Sequence, residues 1–223
     1  MLHRARSLVI AQRRSLGNAI QAHLTEFGIV GPQGRAGLRC LMEDALDPAS
    51  AELPDLAREV IRELELQPTE AEAREAAIEA RILAWYRAND VNRRLATVPG
   101  IGPITASAIA STAPDPAQFT SGRHFAAWIG LVPRQHSTGG KERLGPISKR
   151  GDGDLRRLLM TGSQAVLRWM RARPASQTPW LTQMLERRPW NVVATALANK
   201  TARIAWAVMA RGKTYRKCSV APA

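Results

Sequence analysis

Two hydroxyl side chains lie in a short polar segment that is rich in glycine and positive charge. Ser137 and Thr138 directly precede two glycines, and Lys141 follows them. A hydroxyl on such a flexible loop could attack a phosphodiester, with neighbouring cations stabilising the charge that develops on the phosphate oxygens. A loop that merely grips phosphate uses the same residues, so both interpretations stay open. The cations expected to hold phosphate here are Arg134, Lys141, Arg143, Lys149 and Arg150.

Other polar residues nearby have simpler explanations. His136 adjoins Ser137, but neighbours in sequence rarely orient correctly for proton transfer, so we assign it no role. Asp152 and Asp154 precede a predicted helix, where acids usually cap the first turn. No other segment supplies the paired carboxylates of a two-metal nuclease, and neither cysteine has the spacing of a zinc ligand. We therefore expect no metal site and no cofactor in this chain.

A second motif is the string VPGIGP at residues 98–103. Two glycines around an aliphatic residue, followed by a helix, are typical of the hairpin in a helix-hairpin-helix element. Gly100 and Gly102 would let the backbone approach a phosphate, and the next helix would offer it free N–H groups. We predict that Gly100, Gly102 and Thr105 contact a nucleic-acid phosphate. The alternative is a plain tight turn between two helices.

The distribution of charge favours a polyanionic partner. The chain has 32 Lys and Arg against 19 acids, a formal net charge of +13. Residues 1–40 carry a net +5, residues 41–90 a net −8 and residues 91–223 a net +16. A protein this basic attracts nucleic acid by counterion release. A ribosomal or membrane-surface role, or a genome that favours arginine, would give a similar balance of charged residues. We predict that DNA binds the basic part and not the acidic one.

Helical periodicity dominates the chain. We predict one amphipathic helix over residues 2–27, and two helical segments over 54–90 that are separated at Pro68. The two segments would form a helical hairpin or coiled-coil arm, with Glu75 and Glu79 as solvated charge, and would support a homo-oligomer. Further helices are predicted up to Pro174 and over 192–210. Because no segment alternates with period two, the fold class is mainly α.

No pattern in the sequence indicates a membrane protein. The longest uncharged run, residues 95–114, contains prolines, glycines and hydroxyl side chains, a composition unlike that of a membrane span. No signal-peptide pattern opens the chain. We therefore expect a cytoplasmic protein with no membrane partner.

Three colinear strings resemble the C-terminal domain of the IS-one-ten family of insertion-sequence transposases. They are PGIGPITASAIAS, FTSGRHFAAWIGLVPRQHSTGGKERLGPISKRGD and LRRLLMTGSQAVL, within a match from about Leu95 to Tyr215. The first 38 residues look like the helix that follows the nuclease-like domain of this family. The resemblance therefore covers essentially the whole chain.

The resemblance implies an enzyme with two parts. A RuvC-like domain with four acids would bind divalent metal (Mg), and a C-terminal domain would supply a serine nucleophile. Together they would cut and rejoin DNA, guided in characterised members by a structured RNA. The family's serine stands directly before the first glycine of the loop, where this chain has Thr138, with Ser137 one position earlier. Either hydroxyl could attack, or the site could be inactive.

The resemblance also implies a domain division. Residues 1–32 would be the helix that follows a nuclease-like domain missing from this chain, and residues 33–90 a helical linker or arm. Residues 91–215 would be the transposase C-terminal domain, with the helix-hairpin-helix at 95–112, and 216–223 a tail. The alternatives to an active transposase are a non-catalytic nucleic-acid-binding relic and a dimerising regulator.

Overall fold

The structure is a computed structural model that describes residues 1–47, 53–138, 140–141, 143–173 and 178–216. Contacts divide the chain into two compact units, Met1–Ile82 and Leu83–Ala223. The described residues form nine α-helices and a single two-stranded sheet, so the prediction of a mainly α fold is confirmed. No described helix is both long enough and apolar enough to cross a membrane.

Three helices build the first unit: α1 (Leu2–Glu26), α2 (Arg35–Leu46) and α3 (Asp55–Ala88), whose last residues belong to the second unit. The prediction that Pro68 separates two helices is wrong, because α3 runs through it without a break. Proline removes one N–H donor. Buried residues anchor the helix on both sides of it, with Ile61 before and Ala71 after.

Helices α1 and α3 lie antiparallel, as two ion pairs show. Arg6 contacts Glu79, whereas Arg13, seven residues later, contacts Glu72, seven residues earlier. The apolar ends of the two helices meet α2 in one core. Its buried members are Ile20, Leu24, Ile29, Leu41, Met42, Ala45, Leu53 and Ile61.

Glu75 is buried between arginines, and the expectation that its charge is solvated is wrong. Its side chain is only 11% exposed. Its Oε2 lies 2.9 Å from Nη1 of Arg13 and 3.4 Å from Nη2 of Arg35, and its Oε1 lies 3.9 Å from Nη2 of Arg6. A carboxylate so placed holds three cations from α1 and α2 against α3, a role that its polar neighbours in the sequence do not reveal.

Helix α9 is central to the second unit. It spans Trp190–Arg211, and the other helices of this unit are α4 (Asp90–Leu95), α5 (Pro103–Thr112), α6 (Gly122–Ile129), α7 (Gly153–Arg171) and α8 (Pro179–Arg187). A short 3-10 helix spans Pro116–Gln118. Small side chains on α9 allow α4, α6, α7 and α8 to pack closely against it. These small side chains belong to Ala194, Ala198, Thr201, Ala202 and Ala205, which are all buried.

An antiparallel β-hairpin of β1 (Pro133–Gln135) and β2 (Leu144–Ile147) interrupts the helices. Sequence periodicity missed it because strands of three and four residues are too short to show an alternation.

The turn between α4 and α5 packs directly on α7. A β-carbon added to Gly162 of α7 would lie 1.9 Å from the carbonyl oxygen of Gly100, and Gly100 itself has a φ of +86°. Both positions therefore require glycine, one for the close approach and the other for its left-handed backbone.

We predict that Gly162→Ala destabilises the second unit, because its methyl group would overlap the backbone of the turn. Overpacking of this kind costs about 1–3 kcal/mol. All six tryptophans lie in the second unit, so tryptophan fluorescence during urea unfolding measures the loss. Gly153→Ala, in the same helix, is the matched control, because its β-carbon would meet no atom closer than 3.6 Å. Equal stability of the two variants would contradict the packing described here.

We predict that Glu75→Gln destabilises the first unit, because Arg6, Arg13 and Arg35 lose the buried carboxylate that all three approach, and Arg13 and Arg35 then share only the more exposed Glu72. Hydrogen bonds to charged groups contribute about 1.5–3 kcal/mol each. The measurement is the urea midpoint by circular dichroism at 222 nm. Glu70→Gln is the control, since Glu70 pairs with Arg74 on the exposed side of α3 and such pairs contribute about 0–1 kcal/mol. A midpoint shift no larger than that of the control would disprove the role of Glu75.

Candidate nucleic-acid interface

Ser137 and Thr138 lie near the tip of the β-hairpin. The strands pair Gln135 with Leu144, and Thr138 pairs with Lys141 in the same register. The amide of Lys141 donates to the carbonyl of Thr138 at 3.1 Å, and Gly140 adopts a φ of +76°. The predicted flexible loop is therefore a tight turn that closes two strands.

The two hydroxyls have different surroundings. Ser137 is half-buried, and its Oγ accepts a hydrogen bond of 3.2 Å from the backbone N–H of Arg143. Thr138 is exposed, and its hydroxyl makes no hydrogen bond to the described residues. The fold thus gives Ser137 an anchored hydroxyl and leaves that of Thr138 free to rotate.

Strand alternation also places the two hydroxyls on opposite faces of the hairpin. Thr138 shares its face with His136 and with the cross-strand residues Lys141 and Arg143. The imidazole of His136 confirms this assignment, because its Cδ2 would lie 3.1 Å from a β-carbon on Gly145. His136 therefore faces away from Ser137 and is not placed to take its proton.

The base of the hairpin is fixed to the end of α6 by close backbone contacts. A β-carbon on Gly130 would lie 2.0 Å from the carbonyl oxygen of Arg150, and one on Gly151 would lie 1.9 Å from that of Trp128. Lys149 has a left-handed φ of 55°, and its amide donates to the carbonyl of Gly130 at 3.2 Å. These contacts position the cations that follow β2.

Arg156 completes this junction, and sequence reasoning missed it. Its Nη1 donates to the carbonyl of Ile129 at 2.8 Å and to that of Arg150 at 3.2 Å. The side chain thereby caps α6 and ties it to the strand that leaves the hairpin. A basic residue in the first turn of a helix, here α7, opposes the helix dipole, and this was the signal that it has a tertiary partner.

The predicted phosphate-binding cations of the hairpin share one exposed region. Nη2 of Arg134 donates to the carbonyl of Ser148 at 3.1 Å. These five cations are Arg134, Lys141, Arg143, Lys149 and Arg150, and they lie on the strands, at the tip and at the base of the hairpin. Among the described residues, no acid lies within 4.0 Å of any of them. These five cations are therefore available to an anion, as far as the described residues show.

Of the two acids before Leu155, Asp152 has the capping role predicted for it, whereas Asp154 lies inside α7 and forms an ion pair instead. Asp152 caps α7 by accepting from the amide of Leu155 at 2.9 Å, and Asp154 pairs with Arg157 at 2.8 Å. Within the described part of the chain, no three His, Cys, Asp or Glu side chains come together as metal ligands.

The Gly100–Gly102 turn is flanked by α4 and α5 but is only partly open. Gly100 is turned toward α7, and Thr105 is only 7% exposed. Gly102 is exposed at the start of α5, with no atom within 4 Å of its β-carbon position. Of the three predicted phosphate contacts, Gly102 is the one that solvent reaches freely. Phosphate binding at this turn stays a prediction.

The turn and the β-hairpin meet α7 at different heights. The hairpin base adjoins its first turn, whereas Gly100 adjoins Gly162. From Arg156, which bonds the hairpin base, to Gly162 is roughly 9 Å along the helix axis at 1.5 Å per residue. The structure therefore gathers the predicted residues into two groups instead of one.

Comparison with known proteins identifies the family. A sequence model of the Transposase IS116/IS110/IS902 family matches residues 92–179, the segment that holds the turn, the β-hairpin and α7. Transposases from several bacteria match nearly all of the chain. The chain belongs to this family.

Three relatives show how far the likeness extends. A "Probable family 20 transposase" of Pseudomonas aeruginosa is 48% identical, over 96% of this chain and 64% of its own length. The "Putative transposase y4pF/y4sB" of Sinorhizobium fredii is 41% identical, over 97% and 56%. The "Transposase for insertion sequence element IS1111A" of Coxiella burnetii is 38% identical, over 96% and 59%. The chain thus spans about three fifths of the length of these three transposases.

We predict that Arg156→Met loosens the base of the hairpin, because the carbonyls of Ile129 and Arg150 lose their shared donor. Hydrogen exchange should accelerate in peptides that cover residues 130–150. Arg157→Met is the control, since Arg157 pairs with an exposed acid on the same helix. Unchanged exchange in the Arg156 variant would show that the backbone contacts alone hold the hairpin.

Proposed function

We propose that this chain acts in DNA transposition, binding DNA through its basic second unit and joining a strand to a hydroxyl of the β-hairpin. The observation that carries the proposal is the anchored hydroxyl of Ser137 on a hairpin whose cations have no acidic partner among the described residues. Membership in a transposase family supports it.

Ser137 is the better nucleophile on physical grounds. Its hydroxyl is primary and held in one orientation, and the N–H of Arg143 would stabilise negative charge on its oxygen. Thr138 carries a secondary, β-branched hydroxyl with no fixed orientation. Its position on the face of Lys141 and Arg143 suits a contact to a phosphate oxygen instead.

The proposed step forms one bond and breaks another. The Oγ of Ser137 attacks phosphorus and loses its proton to solvent, while the bond from phosphorus to a deoxyribose oxygen breaks. The released oxygen takes up a proton and becomes a strand end. A DNA hydroxyl can later attack the same phosphorus, restoring the serine and joining a new strand. Charge on the phosphate oxygens would be stabilised by the hairpin cations.

Other members of the proposed assembly rest on family likeness. A structured guide RNA would be a second polyanion for the basic unit. The family likeness assigns divalent metal to an acidic nuclease-like domain, and no step above is routed through it. A homo-oligomer through residues 54–90 would use the exposed apolar side chains of α3, among them Leu56 and Val60.

A non-catalytic nucleic-acid-binding role is the second candidate. Open cations on the hairpin are sufficient for a salt-sensitive grip on phosphate, whether or not a covalent bond forms. An experiment that traps the covalent adduct separates the two functions.

We predict a covalent adduct between Ser137 and DNA. A nicked insertion-sequence end whose leaving strand diffuses away should trap it as a band that resists detergent. The substrate is given to this chain alone and to the Pseudomonas aeruginosa relative carrying this chain in place of its matching segment. Ser137→Ala should abolish the adduct, and Thr138→Ala should reduce it without abolishing it.

Two other outcomes have distinct meanings. Loss of the adduct in the Thr138 variant alone would make the assignment of Ser137 wrong and keep the covalent function. DNA binding without any adduct, in both proteins, would reject the covalent function and support the binding role.

A further inference from the structure

An open groove lies between α6, α8 and α9. Its volume is about 700 Å³, within the range of ligand sites. Its polar and aromatic lining comprises Arg123, Trp180, Asn199, Lys200, Arg203 and Trp206. We call this surface the α6–α9 groove.

Three cations of the groove are free to bind an anion. Arg123, Lys200 and Arg203 are all exposed, and none lies within 4.0 Å of an acid in the part of the chain that the structure describes. No acidic residue lines the groove among the residues that the structure describes. Its charge is therefore uncompensated and complementary to phosphate.

Close packing brings two of these cations to one end of the groove. A β-carbon on Gly122 would lie 2.9 Å from the carbonyl oxygen of Arg203, so the first turn of α6 rests on α9 at that residue. Arg123 and Arg203 consequently flank the same opening. The positive end of the α6 dipole adds to their field there.

Two indole rings line the groove beside the cations. Nζ of Lys200 lies 4.4 Å from the ring centroid of Trp180. Trp206 is fixed by a hydrogen bond of 3.0 Å from its Nε1 to the carbonyl of Pro116. An aromatic face beside phosphate-binding cations is the combination that binds single-stranded nucleic acid, because a base can stack there only when it is unpaired.

We propose that the α6–α9 groove binds an unpaired nucleotide of a single strand. Its phosphate lies between Arg123 and Arg203, and its base stacks on Trp180. Lys200, on its flexible stem, moves from the indole to a neighbouring phosphate and exposes the ring. This binding is independent of the covalent step at the hairpin, so either can fail without the other.

Fluorescence anisotropy tests the proposal on the whole chain. The probes are labelled twelve-nucleotide strands of oligothymidine and oligouridine, and a blunt duplex of twelve base pairs. The oligothymidine and oligouridine arms tell whether the groove prefers DNA or RNA, and preference for either strand over the duplex supports the proposal. A polyglutamate competitor measures how much binding is charge alone.

Changes at the groove should separate stacking from charge. Trp180→Leu should weaken single-strand binding at least about fivefold, and Trp180→Phe should retain most of it. Trp169→Leu is the matched control, because Trp169 also carries a cation over its ring, at 5.0 Å from Arg173, but lies outside the groove. Lys200→Gln with Arg203→Gln should lower the slope of log affinity against log salt by about 1.4.

Several results would overturn the proposal. Equal losses in the Trp169 and Trp180 variants would remove the case for stacking in the groove. Duplex binding as tight as single-strand binding, or full displacement by polyglutamate, would show a general electrostatic surface. The double glutamine variant changes only exposed side chains, so an unchanged salt slope with intact circular dichroism would exclude the groove as the site.

Discussion

The β-hairpin depends on one junction, where the end of α6 meets residues 148–151. A two-stranded hairpin has little stability of its own in water, and the strand residues here are mostly exposed. Its position is therefore set at the base, where Gly130 and Gly151 let two backbones approach within distances that no side chain permits. Arg156 bonds both sides of the junction. This contact therefore determines where the candidate nucleophile and the cations around it lie.

The junction is held in place because the helices on both sides of it, α6 and α7, pack against α9. The buried face of α9 is lined with alanine, so α6 and α7 come close enough for backbone contacts such as that between Gly122 and Arg203. The Gly100–Gly162 contact holds the α4–α5 turn to α7 in the same way. Contacts between small residues thus fix the position of each helix relative to the next. Packing of larger apolar side chains alone would define the distances between helices less strictly.

Local signals in the sequence predicted much of this fold. Asp152 caps α7 as its position before a predicted helix indicates, and the helical periodicity correctly predicted a mainly α fold. The errors arose where a distant residue decides the outcome. Pro68 stays within a helix, and Glu75 is buried by arginines more than thirty residues away.

The candidate site was predicted in its residue types but not in its arrangement. The cluster of hydroxyls and cations was visible in the sequence, whereas the strand register that puts Ser137 and Thr138 on opposite faces was not. The α6–α9 groove was missed entirely, because Arg123 and Arg203 are eighty positions apart and meet only through packing. Composition reports how much charge a chain carries, and packing determines which charges share a surface.

The two proposed nucleic-acid surfaces lie at opposite ends of one helix, and this has an electrostatic consequence. Helix α6 has eight residues, so its ends are roughly 12 Å apart, about the span of three to four nucleotides in a strand. Its positive end adjoins the groove, but its negative end points at the hairpin base, where it would repel a phosphate. Arg156 donates to the carbonyl of Ile129 at that end and offsets its charge. The hairpin base can therefore accept a phosphate although it lies at the negative end of α6.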